Sequence, residues 1–145
     1  MKLIIEIFSS SKSVDNVDLS NTPWIPYHKG GEQRKWYGNH EYVINWNNNG
    51  QSVINFKGSG NINTTLYFRP CITWSLVTTY KPSFRGIFDN DHVMGDAGPI
   101  AAAKENDILY LLGLLNTKFV AEVAALIAPT INFSNGVAGD IPVLF

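Results

Sequence analysis

The spacing of apolar residues changes once along this chain, and that change limits the fold more than any other feature. Between residues 23 and 100 the apolar residues come in short runs separated by Gly, Asn and Pro, which is typical of strands. Between residues 105 and 128 they recur three and four positions apart, which is typical of helices. Strands followed by helices predict an α+β fold: a mixed, mostly antiparallel sheet with a C-terminal helix pair packed on it.

The length and composition fit one folded domain. The chain has 145 residues, of which 45% are hydrophobic, so a core can form without disulfides or metals. An Ile-rich run predicts a strand over 2–8, and polar residues predict a connection over 9–22. We therefore expect residues 1–22 to precede a single globular domain that covers 23–145.

Five apolar runs predict strands in the middle of the chain. They cover residues 42–46, 52–56, 66–68, 72–77 and 84–88. Three asparagines and a glycine at 47–50 can adopt the left-handed conformations that a tight turn needs, so residues 42–56 are predicted to form a β-hairpin.

The helical region predicts two helices separated by a cap at Asn116 and Thr117. The first helix is apolar almost all round, which predicts deep burial. The second is expected to bury one face, which comprises Phe119, Val120, Val123, Ala124 and Ile127. The tail to residue 145 is predicted to be a loop with a short extended end.

Few residues suggest catalysis, a cofactor or a metal. The single cysteine, Cys71, excludes an internal disulfide and a Cys-based zinc site and indicates the reducing cytoplasm. The segment 56–60, FKGSG, matches a nucleotide-cofactor loop, but no helical pattern follows it. The three histidines, His28, His40 and His92, lie far apart in the sequence and lack the spacing of a helical metal pair. We therefore predict no catalytic, cofactor or metal site here, and no membrane contact because no apolar run reaches 18 residues.

Charge is distributed unevenly along the chain. Residues 24–85 contain seven basic and two acidic residues, whereas residues 86–145 contain two basic and seven acidic residues. Such a chain can present one basic face to phosphate groups, unless the fold interleaves the two halves and cancels the field. Both outcomes remain open from the sequence.

The segment 24–39, WIPYHKGGEQRKWYGN, is the densest mixture of basic, aromatic, amide and glycine residues. Lys and Arg neutralise phosphates, and Arg, Asn and Gln hydrogen-bond to base edges. The composition therefore indicates contact with nucleic acid. The alternative is a buried aromatic loop whose charges are merely solvated.

Several short motifs resemble those of one protein family and occur in the same order along the chain. They are WIPYHKGG and RKWYGN in 24–39, VINW at 43–46, ITWS at 72–75, FRGIFD at 84–89, LLGLLNTK at 111–118 and PTINF…GDIPV in 129–143. Together these motifs resemble the target-recognition part of large adenine-specific DNA methyltransferases, including the BREX phage-defence (PglX-like) and single-chain restriction–modification enzymes.

The resemblance implies a DNA-recognition domain that lies C-terminal to a catalytic methyltransferase domain, which would hold S-adenosylmethionine. The implied partners are double-stranded DNA and that catalytic domain, to which the helix pair would be anchored. The residues expected to contact phosphates are Lys29, Arg34, Lys35 and Arg69. Those expected to contact base edges are Gln33, Asn39 and Arg85, and the backbone is expected to approach the duplex at Gly30 and Gly31. Trp36 or Tyr37 would stack on a sugar, support a flipped adenine or pack in the core.

Two other functions remain as alternatives. In the first, the apolar helix pair docks a partner subunit and the aromatic segment is part of the core. The second, a small-molecule enzyme, is disfavoured because no acid–base or nucleophile constellation occurs in the sequence. The sequence does not indicate an oligomeric state.

Overall fold

A computed structural model describes residues 23–57, 64–78, 81–95 and 98–143. Its first sheet has three strands. Strand β1 (Trp24–His28) pairs antiparallel with β2 (Val43–Asn45) and parallel with β5 (Val93–Met94). In the parallel pair, Tyr27 lies opposite Val93, which is 66 positions later in the sequence. This sheet therefore joins both ends of the strand-rich region.

The second sheet has the order β4–β3–β6 and is antiparallel throughout. Its strands are β3 (Cys71–Thr73), β4 (Arg85–Ile87) and β6 (Ile100–Ala102), and every residue of β3 and β4 is buried. The predicted α+β class and its mostly antiparallel pairing are confirmed. The prediction of one sheet is wrong, since the strands divide into two sheets of three.

The C-terminal helices follow the predicted positions. Helix α2 (Glu105–Leu115) packs against β3, β4 and helix α3 (Lys118–Ile127). The cap between them is confirmed, because the Thr117 side chain accepts a hydrogen bond from the Val120 backbone N–H at 3.2 Å. The main core joins both helices to the second sheet and the tail; its buried residues are Ile72, Trp74, Phe84, Ile108, Leu112, Leu115, Val120, Ala124, Phe133 and Ile141.

The helix faces are less buried than predicted. Phe119 is 62% exposed and Leu109 is 70% exposed, although Val120 and Ala124 are buried as expected. Ile127, also predicted to be buried, is 39% exposed. A helix packed on one sheet buries a single stripe, so the remaining apolar side chains of α2 and α3 face outward.

The predicted hairpin over 42–56 is wrong in its second half. Asn48, Asn49 and Gly50 do adopt left-handed conformations, with φ of 51°, 56° and 71°. Three such residues in succession exceed the two of a tight hairpin turn, and the chain continues into a short helix, α1 (Gln51–Ile54). A side chain at Gly50 would lie 2.7 Å from the Trp46 ring, which is a second reason for glycine there.

Three further local predictions differ from the structure. A 3-10 helix, Thr64–Leu66, overlaps the run at 66–68, which was predicted to be a strand but forms none. Strand β3 ends at Thr73, well before residue 77. The tail contains a helix, α4 (Asn135–Gly139), whose first turn is capped by the Ser134 side chain.

The predicted strand over 2–8 and the connection to residue 22 lie outside the described residues, as does most of the FKGSG segment. Among the described helices, none is long and apolar enough to span a membrane alone. The pair Asn106–Leu115 and Lys118–Ile127, bent by 71°, meets the length and composition criterion only when taken together.

Candidate nucleic-acid interface

The basic and aromatic residues lie in the loop that connects β1 to β2, residues 29–42, which we call the β1–β2 loop. Its two ends are fixed by the antiparallel pairing of these strands and by a hydrogen bond from Tyr27 N to Tyr42 O of 2.9 Å. Gly31 has a φ of 117°, and a side chain there would lie 3.0 Å from Asn39 Nδ2. Glycine is therefore required where the loop folds back on itself.

The middle of the loop is hydrogen-bonded to strand β4. Trp36 N donates to Phe84 O and Gly86 N donates to Trp36 O, both at 2.9 Å, so Trp36 forms an isolated parallel bridge with Arg85. Trp36 adopts a φ of 75°, which is uncommon for a non-glycine residue. This bridge turns the indole outward, and its side chain is 52% exposed.

Two residues expected to contact bases are instead buried and support the loop. Arg85 is 1% exposed, and its guanidinium lies 3.4 Å from Arg34 O and 3.5 Å from Ser75 Oγ. Asn39 is 4% exposed and its Nδ2 donates to Glu32 O at 2.9 Å. Because both side chains bond to the chain's own backbone, neither is placed to meet a base edge.

Most of the other candidates in the loop face solvent, whereas Gly30 is buried and Lys29 is half-buried. The exposed side chains are those of Gln33, Arg34, Lys35, Trp36 and Tyr37. Tyr37 is 67% exposed and so does not pack in the core, which was one of the roles predicted for the aromatic residues. The loop presents an exposed surface with two cations, one amide, two rings and the carboxylate of Glu32.

The cations of the loop differ in how strongly they are engaged. Arg34 Nη1 lies 4.0 Å from Glu41 Oε1, and both side chains are about half exposed, so this ion pair contributes little. Lys35 Nζ donates to Asn116 O at 2.9 Å. Lys29 differs, because its ammonium lies 4.1 Å from the centroid of the Tyr42 ring in a cation–π contact.

Burial affects Arg85 electrostatically as well. Loss of solvent around its guanidinium lowers the pKa of Arg85, and the nearby positive charge of Arg34 acts in the same direction, while Glu41 opposes both. An arginine remains charged after such a shift. A positive charge therefore lies directly beneath the exposed loop.

The two halves of the sequence are interleaved by the fold. Strand β5 pairs with β1, and β6 pairs with β3, so each sheet contains strands from both halves. The Lys81–Glu122 ion pair also crosses between the halves. Arg69 is exposed and follows Phe68, whose ring contacts Trp46. Because basic and acidic segments lie side by side in the fold, the basic surface is smaller than the separation of charges along the sequence indicates.

A cleft of about 580 Å³ lies between the β1–β2 loop and the end of α3. Gln33 borders it on the loop side, and Lys81 is the ionisable residue in its lining. Lys81 already pairs with Glu122, which lowers the pKa of that carboxyl. Among the described residues that line the cleft, there is therefore no acid–base pair for catalysis.

The structure brings together three histidines that the sequence reasoning treated as unrelated. His28, His40 and His92 place one ring nitrogen each within 4.8 Å of the others. Burial, together with the neighbouring imidazoles and Arg85, lowers the pKa of His28 to about 3. Burial is also the main cause of the lowered pKa of His40. Helical spacing was the wrong criterion here, because strand pairing produces the cluster.

Cys71 behaves as the sequence indicates. It is buried in β3, and burial raises the pKa of its thiol to about 12. A thiol that stays protonated is a poor nucleophile and a poor metal ligand. Cys71 is therefore a core residue.

The fold and the loop define a small α+β unit with an exposed basic and aromatic loop anchored to its core, and no family model matches the chain. The chain is 36% identical over 139 residues to the adenine-specific methyltransferase BrxX of Escherichia coli O9:H4 (strain HS), which covers 93% of the chain and 11% of that protein. It is 34% identical over 132 residues to the adenine-specific methyltransferase PglX of Lacticaseibacillus casei (strain Zhang), which covers 82% of the chain and 10% of that protein. The chain is thus homologous to a segment of these methyltransferases and spans about a tenth of their length.

Proposed function

We propose that this chain is the DNA target-recognition part of a BREX-type (PglX-like) adenine-specific methyltransferase and that it contacts double-stranded DNA through the β1–β2 loop. The observation that carries the proposal is the loop itself, with exposed cations and rings on a backbone that is hydrogen-bonded to the core. A pre-formed loop loses little conformational entropy on binding. The homology to adenine-specific methyltransferases supports DNA as the ligand.

Different side chains of the loop can contact the phosphates and the base edges of the duplex. Arg34 and Lys35 are exposed and can neutralise phosphates. Lys35 donates one of its three N–H groups to the Asn116 carbonyl, so two remain to donate to a phosphate. Gln33 Nε2 donates to Lys81 O at 3.1 Å, an exposed bond that a base edge can replace.

The rings give the loop a second means of contact. Trp36 and Tyr37 are neighbours in the sequence and both are exposed, so either can stack on a sugar or on an unpaired base. Methyl transfer to adenine requires the target base to leave the stack. Under this proposal the loop stabilises the opened duplex while the catalytic part, which would hold S-adenosylmethionine, receives the adenine.

A second proposed contact joins this chain to that catalytic part. Leu109 on α2 and Phe119 and Leu126 on α3 are 70%, 62% and 82% exposed. Large apolar side chains exposed on the helices mark an interaction surface. Since the chain spans about a tenth of its relatives, we propose that the remainder of the methyltransferase covers this face. The same face would serve a partner subunit if the chain were a protein-interaction module.

Replacing Arg34 and Lys35 together with alanine is expected to weaken binding to a fluorescent duplex roughly tenfold at low salt, and equally for unrelated sequences. Two phosphate contacts are lost, and these carry no sequence information. Fluorescence anisotropy measures the change, and circular dichroism verifies the fold.

The matched control removes the same number of charges elsewhere. Lys104 and Lys118 are both exposed and lie at the starts of α2 and α3. Their double alanine variant should bind the duplex like the unmodified chain. Equal affinity for all three proteins would show that the loop does not contact DNA.

A further inference from the structure

The base of the β1–β2 loop contains a cluster of three imidazoles. His28 ends β1, His40 lies near the end of the loop, and His92 immediately precedes β5. The ring centroid of His28 is 4.8 Å from that of His40 and 4.9 Å from that of His92, and the other two are 5.9 Å apart. These are all three histidines of the chain.

One of the buried rings in the cluster has a nitrogen without a hydrogen-bond partner. His28 is 2% exposed, and its Nε2 has no partner among the described residues. His92 is also buried, and its Nδ1 lies 2.5 Å from Asp91 Oδ1. A buried polar atom without a partner is unfavourable, so a ligand that fills the space would relieve the cost.

We propose that His28, His40 and His92 bind a divalent transition metal, and that zinc is the ion the site takes. Zinc commonly binds three imidazole nitrogens, so the site needs neither thiolate nor all-oxygen ligands. The Asp91 carboxylate beside His92 corresponds to the outer partner that commonly orients a metal-binding histidine. Its position at Nδ1 leaves Nε2 of His92 for the ion.

Small movements are needed to close the site. Tetrahedral zinc holds its nitrogen ligands roughly 3.3 Å apart, which is less than the present limit of 4.8 Å. His40 is the ring best able to move, because it is half-buried and its Nε2 accepts only a long hydrogen bond of 3.3 Å from Gly38 N. A solvent molecule can complete the coordination on the His40 side.

The charges around the cluster favour a cation on balance. Glu41 and Asp89 act on His40 as negative charges, and Asp91 lies against His92. Arg85 is the positive group that acts on His28 and His40. The site would join β1, the start of β5 and the end of the β1–β2 loop, and so it would fix the base of that loop.

Zinc titration of the full 145-residue chain, after treatment with a chelator and dialysis, tests the proposal. We expect one zinc ion per chain in competition with a chromogenic chelator. We also expect a rise in Tm of roughly 5–10 °C at a zinc concentration 100-fold above Kd. Cobalt should bind at the same stoichiometry and give the visible absorption of a four-coordinate ion.

Variants assign the ligands. His40→Ala should abolish stoichiometric binding, whereas Glu122→Gln, an exposed carboxylate on α3, should retain it. Asp91→Asn keeps all three imidazoles and should weaken zinc binding roughly 10–100-fold. Absence of stoichiometric zinc, or binding that His40→Ala leaves unchanged, would overturn the proposal. Because zinc is measured directly, this result does not depend on whether the loop contacts DNA.

Discussion

Replacing Trp74 with alanine is expected to lower the free energy of unfolding by about 3–5 kcal/mol. The Trp74 ring is 1% exposed and packs 5.5 Å from Phe84 and 6.3 Å from Phe133, measured between ring centroids. Its Nε1 also donates to Phe133 O at 2.7 Å, so the variant loses both packing and a buried hydrogen bond. Urea denaturation followed by circular dichroism measures the change.

The control for this prediction is a tryptophan on the surface. Trp36→Ala removes the same side chain from a position that is 52% exposed, and we expect a loss of less than about 1 kcal/mol. Similar losses for the two variants would contradict the assignment of Trp74 to the core that joins β3 to the tail.

Asn116→Asp is expected to cost about 2–4 kcal/mol at pH 7. The Asn116 side chain is 6% exposed, accepts a hydrogen bond from Phe84 N at 3.2 Å, and donates to Phe84 O and Leu112 O at 2.9 and 3.1 Å. A carboxylate of the same shape keeps the first bond and faces two carbonyl oxygens with no hydrogen to donate. The backbone carbonyl of Asn116, which accepts from Lys35, is the same in both residues, so the loss reports on the side-chain bonds.

The pH dependence identifies the cause of that loss. Burial and the two carbonyls raise the pKa of the introduced carboxyl in the fold above about 3.9, its unfolded value. The loss is therefore complete above the folded pKa and shrinks as pH falls toward the unfolded pKa, because a protonated carboxyl can donate. Asn132→Asp, at an exposed position, should change stability by less than about 0.5 kcal/mol. A loss for Asn116→Asp that is the same at pH 7 and pH 5 would contradict this explanation.

The sequence predicted the helix pair well because its signals are local. Apolar spacing and the Thr117 cap are properties of neighbouring residues, and α2 and α3 lie where those signals place them. The hairpin over 42–56 failed because three successive left-handed residues lead into helix α1, and β2 pairs with β1, which precedes it in the sequence. The edge of β1 that is not paired with β2 pairs with β5, which is distant in the sequence.

The candidate site was predictable in composition but not in detail. The mixture of basic and aromatic residues marked the loop, and Arg34, Lys35, Trp36 and Tyr37 are indeed exposed. The burial of Arg85 depends on the bridge between Trp36 and β4, which no local pattern encodes. The histidine cluster depends on the parallel pairing of β1 with β5 and is equally invisible in residue spacing.

The salt dependence of duplex binding reports directly on the contact between the β1–β2 loop and DNA, because each neutralised phosphate releases counterions. We expect the slope of log K against log salt concentration to fall in magnitude by about 2 for the Arg34→Ala, Lys35→Ala double variant, since each phosphate contact contributes about 0.9. The Lys104→Ala, Lys118→Ala double variant should keep the slope of the unmodified chain. Identical slopes for all three proteins, or a smaller slope only in the control, would contradict the proposed contact between the β1–β2 loop and DNA.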